Sequence, residues 1–368
     1  MAGAAACWLL LAVTPAGARA GGDPRQAEQW NLAQIGAAEA WATSTGAGVT
    51  IGVVDSGIDA GHPDLAGKIA AQADCVDGPC REGGAPDGFG HGTAVSGVAA
   101  ASTGNGVGIA GVAPDAKLVV ARVLNDDGDG NPEDISSGIR WVVDHGAKVV
   151  SLSLGDPAAI FSASGNSLAP AIQYAWSRGA IPVLAAGNYN SGVLGVGSAG
   201  YGNLNAVVVG ATDRAGGVAF YSSPLGNAKW GVVAPGGNDE GVGEDILSTE
   251  LGGDYAWHAG TSLAVPHVSG VLALLLAQGL GQQAAVDRLL ATLDTAPCGD
   301  GCRGRLRADS AVAVAATAGA GTTTAPQSGG ASDSGGSGLP TGLVVAGAVV
   351  VLGAVAAAGA LGLRSARR

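Results

Sequence analysis

The stretch Val49-Thr-Ile-Gly-Val-Val-Asp-Ser-Gly57 decides the architecture. Its first six residues are nearly all apolar, with no alternation of polar and apolar positions. A strand with one face in water alternates. A strand that does not is covered on both faces, as in a parallel sheet held between two layers of helices. The run then stops on Asp55-Ser-Gly57. A carboxylate directly behind Val53 and Val54 is expected to be buried, where its charge is costly without hydrogen-bond partners. Aspartate is also an ordinary turn residue, so the meaning of Asp55 depends on what the rest of the chain sets beside it.

Outward from this stretch, strand-like and helix-like runs alternate. Lys117 to Leu124, Val149 to Leu154, Ile181 to Ala185 and Ala206 to Gly210 read as strands. Gly92 to Ala101 reads as a helix of small residues, and Ile135 to Asp144 and about Leu168 to Arg178 as further helices. Strands separated by single helices need crossover connections, which predicts an α/β fold with a mainly parallel sheet. In such sheets, sites gather beyond the carboxyl ends of the strands. Three of those ends combine glycine with a corner: Asp55-Ser-Gly57, Ala186-Gly-Asn188, and Pro235-Gly-Gly237 after Val232-Val-Ala234.

Two further stretches supply the remaining chemistry. Gly88-Phe-Gly-His-Gly-Thr93 sets His91 between glycines at the mouth of a helix. His258-Ala-Gly-Thr-Ser-Leu-Ala-Val-Pro-His-Val-Ser-Gly270 leads into the apolar run Val271 to Leu276, placing Ser262 at a helix start. A serine there is ordinarily a cap. The same position offers the unpaired N–H groups of the first turn to a developing negative charge. Each residue alone has a bland explanation. His62, His145, His258 and His267 have only local contexts, and a lone histidine is most often a satisfied surface or core group. Asn188 suits a left-handed turn as well as an oxyanion. Together, Asp55, His91, Asn188 and Ser262 compose an orienting carboxylate, a base, an oxyanion donor and a nucleophile.

The 368 residues suffice for one large domain with appendages. Residues 1–20 read as a secretory signal peptide, with the apolar core Cys7 to Val13 and the cleavage pattern Ala18-Arg-Ala20. Cys7 precedes that core, the wrong side for lipidation. Residues 21–315 form the globular domain, 316–340 a Gly/Ser/Thr-rich linker too polar to bury a core, and 341–363 a transmembrane helix. The basic tail 364–368 reads as a cytoplasmic stub. The protein is thus expected at the cell membrane, single-pass, with its domain extracytoplasmic. Setting aside Arg19, Arg364, Arg367 and Arg368 takes the formal charge from −12 to −16. A surface that acidic repels phosphate backbones and excludes nucleic acid as a partner. With the leader removed, Cys75, Cys80, Cys298 and Cys302 remain. Two local disulfides are the simplest arrangement outside the cytoplasm, three pairings are allowed, and a four-thiolate zinc site is the rival.

The chain resembles the subtilase (subtilisin-like) serine peptidases over roughly residues 26–312. The matching blocks are Val53-Val-Asp-Ser-Gly-Ile-Asp59 with His62-Pro-Asp-Leu65, Gly90-His-Gly-Thr-Ala-Val-Ser-Gly97, and Gly108-Ile-Ala-Gly-Val-Ala-Pro-Asp-Ala116. Ser151-Leu-Ser-Leu-Gly155, Ala185-Ala-Gly-Asn188 and Gly260 to Gly270 follow in the family's order. Leu263 and Val265 stand where the family usually has Met and Ala, and both stay apolar. The resemblance implies a subtilisin-like three-layer fold and an endopeptidase acting on polypeptides. It implies Asp55, His91 and Ser262 as the triad and Asn188 as the oxyanion donor. Ser151, Leu152, Ser153, Leu154 and Gly155 would hold an extended substrate, and Ala185, Ala186 and Gly187 the other wall of the specificity pocket. No cofactor is expected. Calcium stays open: Asp64 matches a calcium-binding aspartate of some members, while the loop Thr103 to Gly106 is short. Asn125, Asp127, Asp129 and Gly130 have calcium-loop spacing, but the twelfth position is Ser136 instead of glutamate, which favours a solvated loop.

Only Gly21 to about Gln29 separates the expected cleavage site from Trp30-Asn-Leu-Ala-Gln-Ile35, which resembles the start of a mature domain, so the usual inhibitory prodomain is expected to be absent. The layout is also similar to that of mycosins, membrane-anchored proteases of type VII secretion, which implies a secretion-complex partner. A scaffold role in such a machinery, and an inactive binding domain on the same fold, are the competing readings.

Overall fold

A computed structural model of the chain describes residues 22–154, 168–188 and 201–319, with side chains to residue 313. The signal peptide, Gly155, the linker beyond residue 319, the span 341–363 and the tail 364–368 lie outside the described residues. The chain divides into two units after Gly321, and every described residue belongs to the first.

The strands are β1 (Thr50–Asp55), β2 (Ile69–Asp74), β3 (Arg81–Glu82), β4 (Lys117–Arg122), β5 (Val149–Leu152), β6 (Ile181–Ala185), β7 (Val207–Thr212), β8 (Trp230–Pro235), β9 (Ile246–Thr249), β10 (Tyr255–His258) and β11 (Cys302–Arg305). The helices are α1 (Trp30–Ile35), α2 (Ala37–Trp41), α3 (His91–Ala100), α4 (Pro132–Asp144), α5 (Ala169–Ser177), α6 (Thr261–Ala277), α7 (Gln282–Ala291) and α8 (Ala308–Gly319). The central sheet runs β11-β8-β7-β6-β5-β1-β4-β2-β3. Every neighbouring pair in it is parallel except β2 with β3. The α/β expectation therefore holds.

Strand side chains alternate between two separate cores. Ile51, Val53, Leu118, Val120 and Val149 pack on one face with Ile35, Val95, Val265, Val271 and Leu272. Val54, Val119, Val150 and Leu152 pack on the other with Ile135, Ile139, Val142 and Ile172. Helices α4 and α5 thus cover one face, and α3, α6 and their neighbours the other, giving three layers.

Several boundaries differ from the sequence reading for physical reasons. β4 ends at Arg122, not Leu124, because the amides of Val123 and Leu124 both turn to the Asp55 carbonyl, at 2.7 and 3.4 Å. β5 ends at Leu152, and Ser153 leaves the ladder for a contact described below. The last helix continues through Gly319, past residue 315 where the linker was expected to begin. β2 escapes a periodicity argument because only Ala73 in it is buried. Cys75 pairs with Cys80 and Cys298 with Cys302, the two local disulfides.

Candidate active site

Asp55 is the last residue of β1 and is fully buried. Its Oδ1 accepts from the Ser56 amide at 2.8 Å and faces His91 Nδ1 at 2.7 Å. That contact makes Nδ1 the protonated nitrogen and leaves Nε2 as the basic one. Oδ2 of Asp55 is buried without a hydrogen-bond partner. His91 opens α3 at the rim of the sheet, its side chain about a quarter exposed. Burial pushes its pKa down, but the charge of Asp55, the hydrogen bond to it and the charge of Asp87 together hold the ring above its ordinary value. The glycine after it is required: a Cβ on Gly92 would meet the Gly57 carbonyl oxygen at 2.1 Å. Without that close approach, α3 could not bring His91 onto the end of β1.

Ser262 is the second residue of α6 and partly exposed. Pro266 sits four residues on, inside the same helix. Having no N–H, it cannot bond the Ser262 carbonyl as a helix residue would. The Ser153 hydroxyl takes that carbonyl instead, at 2.8 Å. The nucleophile candidate is therefore tied to the chain leaving β5, the strand beside β1.

Asn188 follows β6, the next strand over. Its Oδ1 accepts from the amide and the hydroxyl of Thr261, both at 3.0 Å. With the oxygen fixed on the helix start, Nδ2 lies toward Ser262. A Cβ on Gly260 would stand 3.0 Å from Ser262 Oγ and 3.4 Å from Asn188 Nδ2, so these two atoms flank one small space. Gly260 has φ +150°, a conformation that L side chains rarely adopt, and so keeps that space clear.

The four candidates thus form two preformed halves, Asp55–His91 beyond β1 and Asn188–Ser262 beyond β6, with β5 between those strands. No hydrogen bond joins the Ser262 hydroxyl to the His91 ring in this arrangement. Catalytic contacts in ligand-free sites are often long and tighten only with substrate.

The expected substrate strand is more inward-facing than its sequence suggests. Ser151 is buried and its hydroxyl accepts from Ser269 at 3.1 Å. Leu152 belongs to the second core and Ser153 is buried on Ser262. What remains beyond the ladder is the backbone of Ser153 and Leu154; Gly155 lies outside the described residues. On the other side Ala185 and Ala186 are buried. The Ala186 amide bonds the Val209 carbonyl and the Gly187 carbonyl accepts from Ser223.

Sequence reasoning passed over Asp87, Ser56, Glu250 and His258. His258 Nε2 lies 3.5 Å from Glu250 Oε2, and Glu250 Oε1 would be 2.8 Å from a Cβ on Gly90. The signal for Asp87 was available: an aspartate four residues before a helix-opening histidine.

Among the described residues no group of three or more His, Cys, Asp or Glu side chains is placed to hold a metal ion. The loop 125–130 closes on itself, with Asn125 Oδ1 accepting from the amides of Asp127 and Asp129. Asp64 takes Asn105 Nδ2 on Oδ1, and the Ile109 amide and Tyr255 hydroxyl on Oδ2. Asp23 takes the amides of Gly104, Asn105 and Gly106. Asp23 and Asp64 carry the hard carboxylate oxygens calcium prefers, and Asn105, whose Nδ2 faces Asp64 while its Oδ1 accepts from the Val107 amide, would have to turn its amide to add a third donor. Asp23, Asp64 and Asn105 are the residues that would hold it, as a brace for the 103–109 loop.

The family model described as the subtilase family of S8 peptidases matches residues 46–333. Thermitase from Thermoactinomyces vulgaris is 40% identical over 252 residues, covering 68% of this chain and 83% of that protein. Subtilisin Savinase from Lederbergia lenta is 38% identical over 251 residues, 68% of this chain and 84% of that one. A solved protease from Pseudoalteromonas arctica PAMC 21717 superposes with TM-score 0.70 at 34% identity, over 80% of this chain and 98% of that one. With matched sequence and matched fold, the chain belongs to the subtilase family of serine endopeptidases.

Proposed function

We propose that this subtilase works through Ser262 as nucleophile, His91 as base, Asp55 as orienting carboxylate and Asn188 as oxyanion donor, on a domain tethered outside a membrane. The observation that carries the assignment is the 2.7 Å contact of Asp55 with His91, one strand away from the hydroxyl that holds the Ser262 carbonyl. A turn of the partly exposed Ser262 side chain between rotamers is the movement that joins the halves. His91 Nε2 then takes the Ser262 proton as Oγ attacks the peptide carbonyl, and returns it to the leaving amine. Asp55 fixes the tautomer and stabilises the imidazolium without accepting the proton. The oxyanion is met by Asn188 Nδ2 and by the Ser262 amide at the start of α6. Calcium, where bound, supplies a structural brace at Asp23, Asp64 and Asn105 and takes no part in these steps.

The tether rests on sequence. Among the described residues no single helix is long and apolar enough to cross a membrane. The uncharged segment Leu343 to Leu363 followed by three arginines has the length and the flank of one that does. A serine-directed fluorophosphonate probe tests both claims. The full chain should label in the membrane fraction and resist carbonate extraction, and Ser262→Ala should abolish labelling. Labelling that persists in Ser262→Ala would remove the nucleophile assignment, and labelled protein released by carbonate would remove the tether.

A further inference from the structure

Helix α3 starts without a side-chain cap from its own first position, since Gly90 stands there with φ +96°. The cap comes from three residues upstream. Asp87 Oδ1 accepts from the amides of Phe89 and Gly90 at 3.1 and 2.7 Å, and Oδ2 from the amide and hydroxyl of Thr93 at 2.8 and 2.7 Å. Those amides bracket His91. A fifth bond leaves the turn: the Ser56 hydroxyl donates to Asp87 Oδ1 at 2.9 Å. The same hydroxyl accepts from the Gly92 amide at 2.8 Å, while the Ser56 amide donates to Asp55. The path from Asp55 through Ser56 and Asp87 therefore reaches the backbone on either side of His91, and the His91 ring closes it on Asp55.

We propose that Asp87 is a positioning residue for His91. Through Ser56 and the amides of the 89–93 turn it holds the imidazole on Asp55, and it sets a second negative charge toward that ring. The proposal rests on the reading of His91 as the base and extends it to the groups behind the ring.

A simple helix cap is the competing account, and charge separates the two. Asp87 lines a cleft with Asp59, Pro86 and Leu251, and burial there pushes its pKa up. The hydrogen bonds from Thr93, Gly90 and Ser56 outweigh burial and hold it below the usual carboxylate range, so it is ionised wherever the enzyme works. The ring of His91 faces few other charges. Asp55 lies on β1. His258, on β10, feels the charge of His91 and pairs with Glu250, which follows β9. Removing the Asp87 charge therefore removes one of two carboxylates that stabilise the imidazolium, whereas a cap alone would alter stability and leave the ring's titration where it was.

The test uses the full chain carrying Asp87→Asn, Asp87→Glu or Ser56→Ala. It reads the acid limb of kcat/KM on a peptide substrate, the His91 titration by NMR in the Ser262→Ala background, and Tm. Asp87→Asn is expected to move the acid limb and the ring titration down by about half a pH unit and to lower kcat/KM about tenfold or more. Asp87→Glu should restore the limb. Ser56→Ala should lower kcat/KM with the limb nearly in place, because it breaks the path and keeps the charge. An unmoved titration in Asp87→Asn, or losses of kcat/KM that only follow Tm, would overturn the proposal. Should Asp87→Asn fail to fold, full activity in Ser56→Ala would overturn it equally. The NMR titration needs no turnover, so it separates failure of this proposal from failure of His91 as the base.

Discussion

Two histidines sit near the two ends of the same catalytic apparatus and behave in opposite ways. His91 opens α3 at the rim, with the Asp55 carboxylate on Nδ1 and Asp87 behind it, and its pKa is raised. His267 lies five residues past Ser262 on α6, fully buried. Its Nδ1–H donates to the Leu263 carbonyl at 2.8 Å, and Nε2 accepts from Asn31 Nδ2 at 2.8 Å. Burial pushes its pKa down to about 4. His91 is held at one ring nitrogen, Nδ1, and His267 at both. The difference is that one partner is a charge and the other an amide. A carboxylate makes a histidine ready to accept a proton, whereas an amide in a dry core keeps it neutral and makes it a fastener between α1 and α6.

The largest effect that sharpens this contrast is on turnover. His91→Ala is expected to lower kcat by on the order of 10⁵-fold or more, with Tm shifted little because the ring is at the rim. His267→Leu should leave kcat within about tenfold and lower stability by about 1–3 kcal/mol, since it orphans the buried Asn31 amide. Steady-state kinetics and urea melts on the same pair of variants check both. A His267 variant as inactive as His91→Ala at full stability would erase the distinction.

Asn188 gives the next largest effect. Asn188→Ala removes the donor beside Ser262 Oγ and also releases Thr261, so kcat should fall by on the order of 10² to 10³ with KM little changed. A fall in kcat/KM expressed wholly in KM would mean that Asn188 serves binding and not the oxyanion.

The mainly parallel sheet was legible in the sequence because parallel strands buried on both faces write themselves as apolar runs, and the candidates were sought where such runs end. Asp55 and Asn188 each follow such a run directly. What was not legible is what reaches across sequence. The tie from Ser153 to Ser262 spans 109 positions and depends on Pro266 silencing a helix bond, which no local pattern announces. Ser151 and Leu152 are expected from the resemblance in a strand that pairs with an extended substrate, and the pleat buries their side chains, which no local pattern separates from their backbone. The β9–β10 hairpin, which brings Glu250 and His258 to His91, is held to α3 by Ser248 and Thr249 hydroxyls on the Ala94 and Thr93 carbonyls, again invisible to periodicity.

The smallest expected effect lies in stability against pH, where the two histidines must pull in opposite directions. The folded pKa of His267 lies below the ordinary value near 6.5. Between about 4 and 6.5 the unfolded chain therefore binds the proton more readily than the folded one, and the stability His267 contributes above that window is lost as pH falls through it. Full expression of the shift amounts to no more than about 3 kcal/mol. His91 has the reverse sign: its raised pKa contributes stability at low pH that disappears as pH rises through the folded value. Urea midpoints measured from pH 4 to 8 should therefore fall steeply on the acid side in the wild-type chain. The double variant Asn31→Leu/His267→Leu, which fills the buried site with apolar groups, should flatten that slope. His91→Ala should leave that acid slope in place and instead remove the gain in stability as pH falls from 8 towards about 6.5, the window set by its raised pKa. Identical pH profiles in all three proteins would mean that neither ring's surroundings distinguish its charged from its neutral form, and the contrast between rim and core would fail at its physical root.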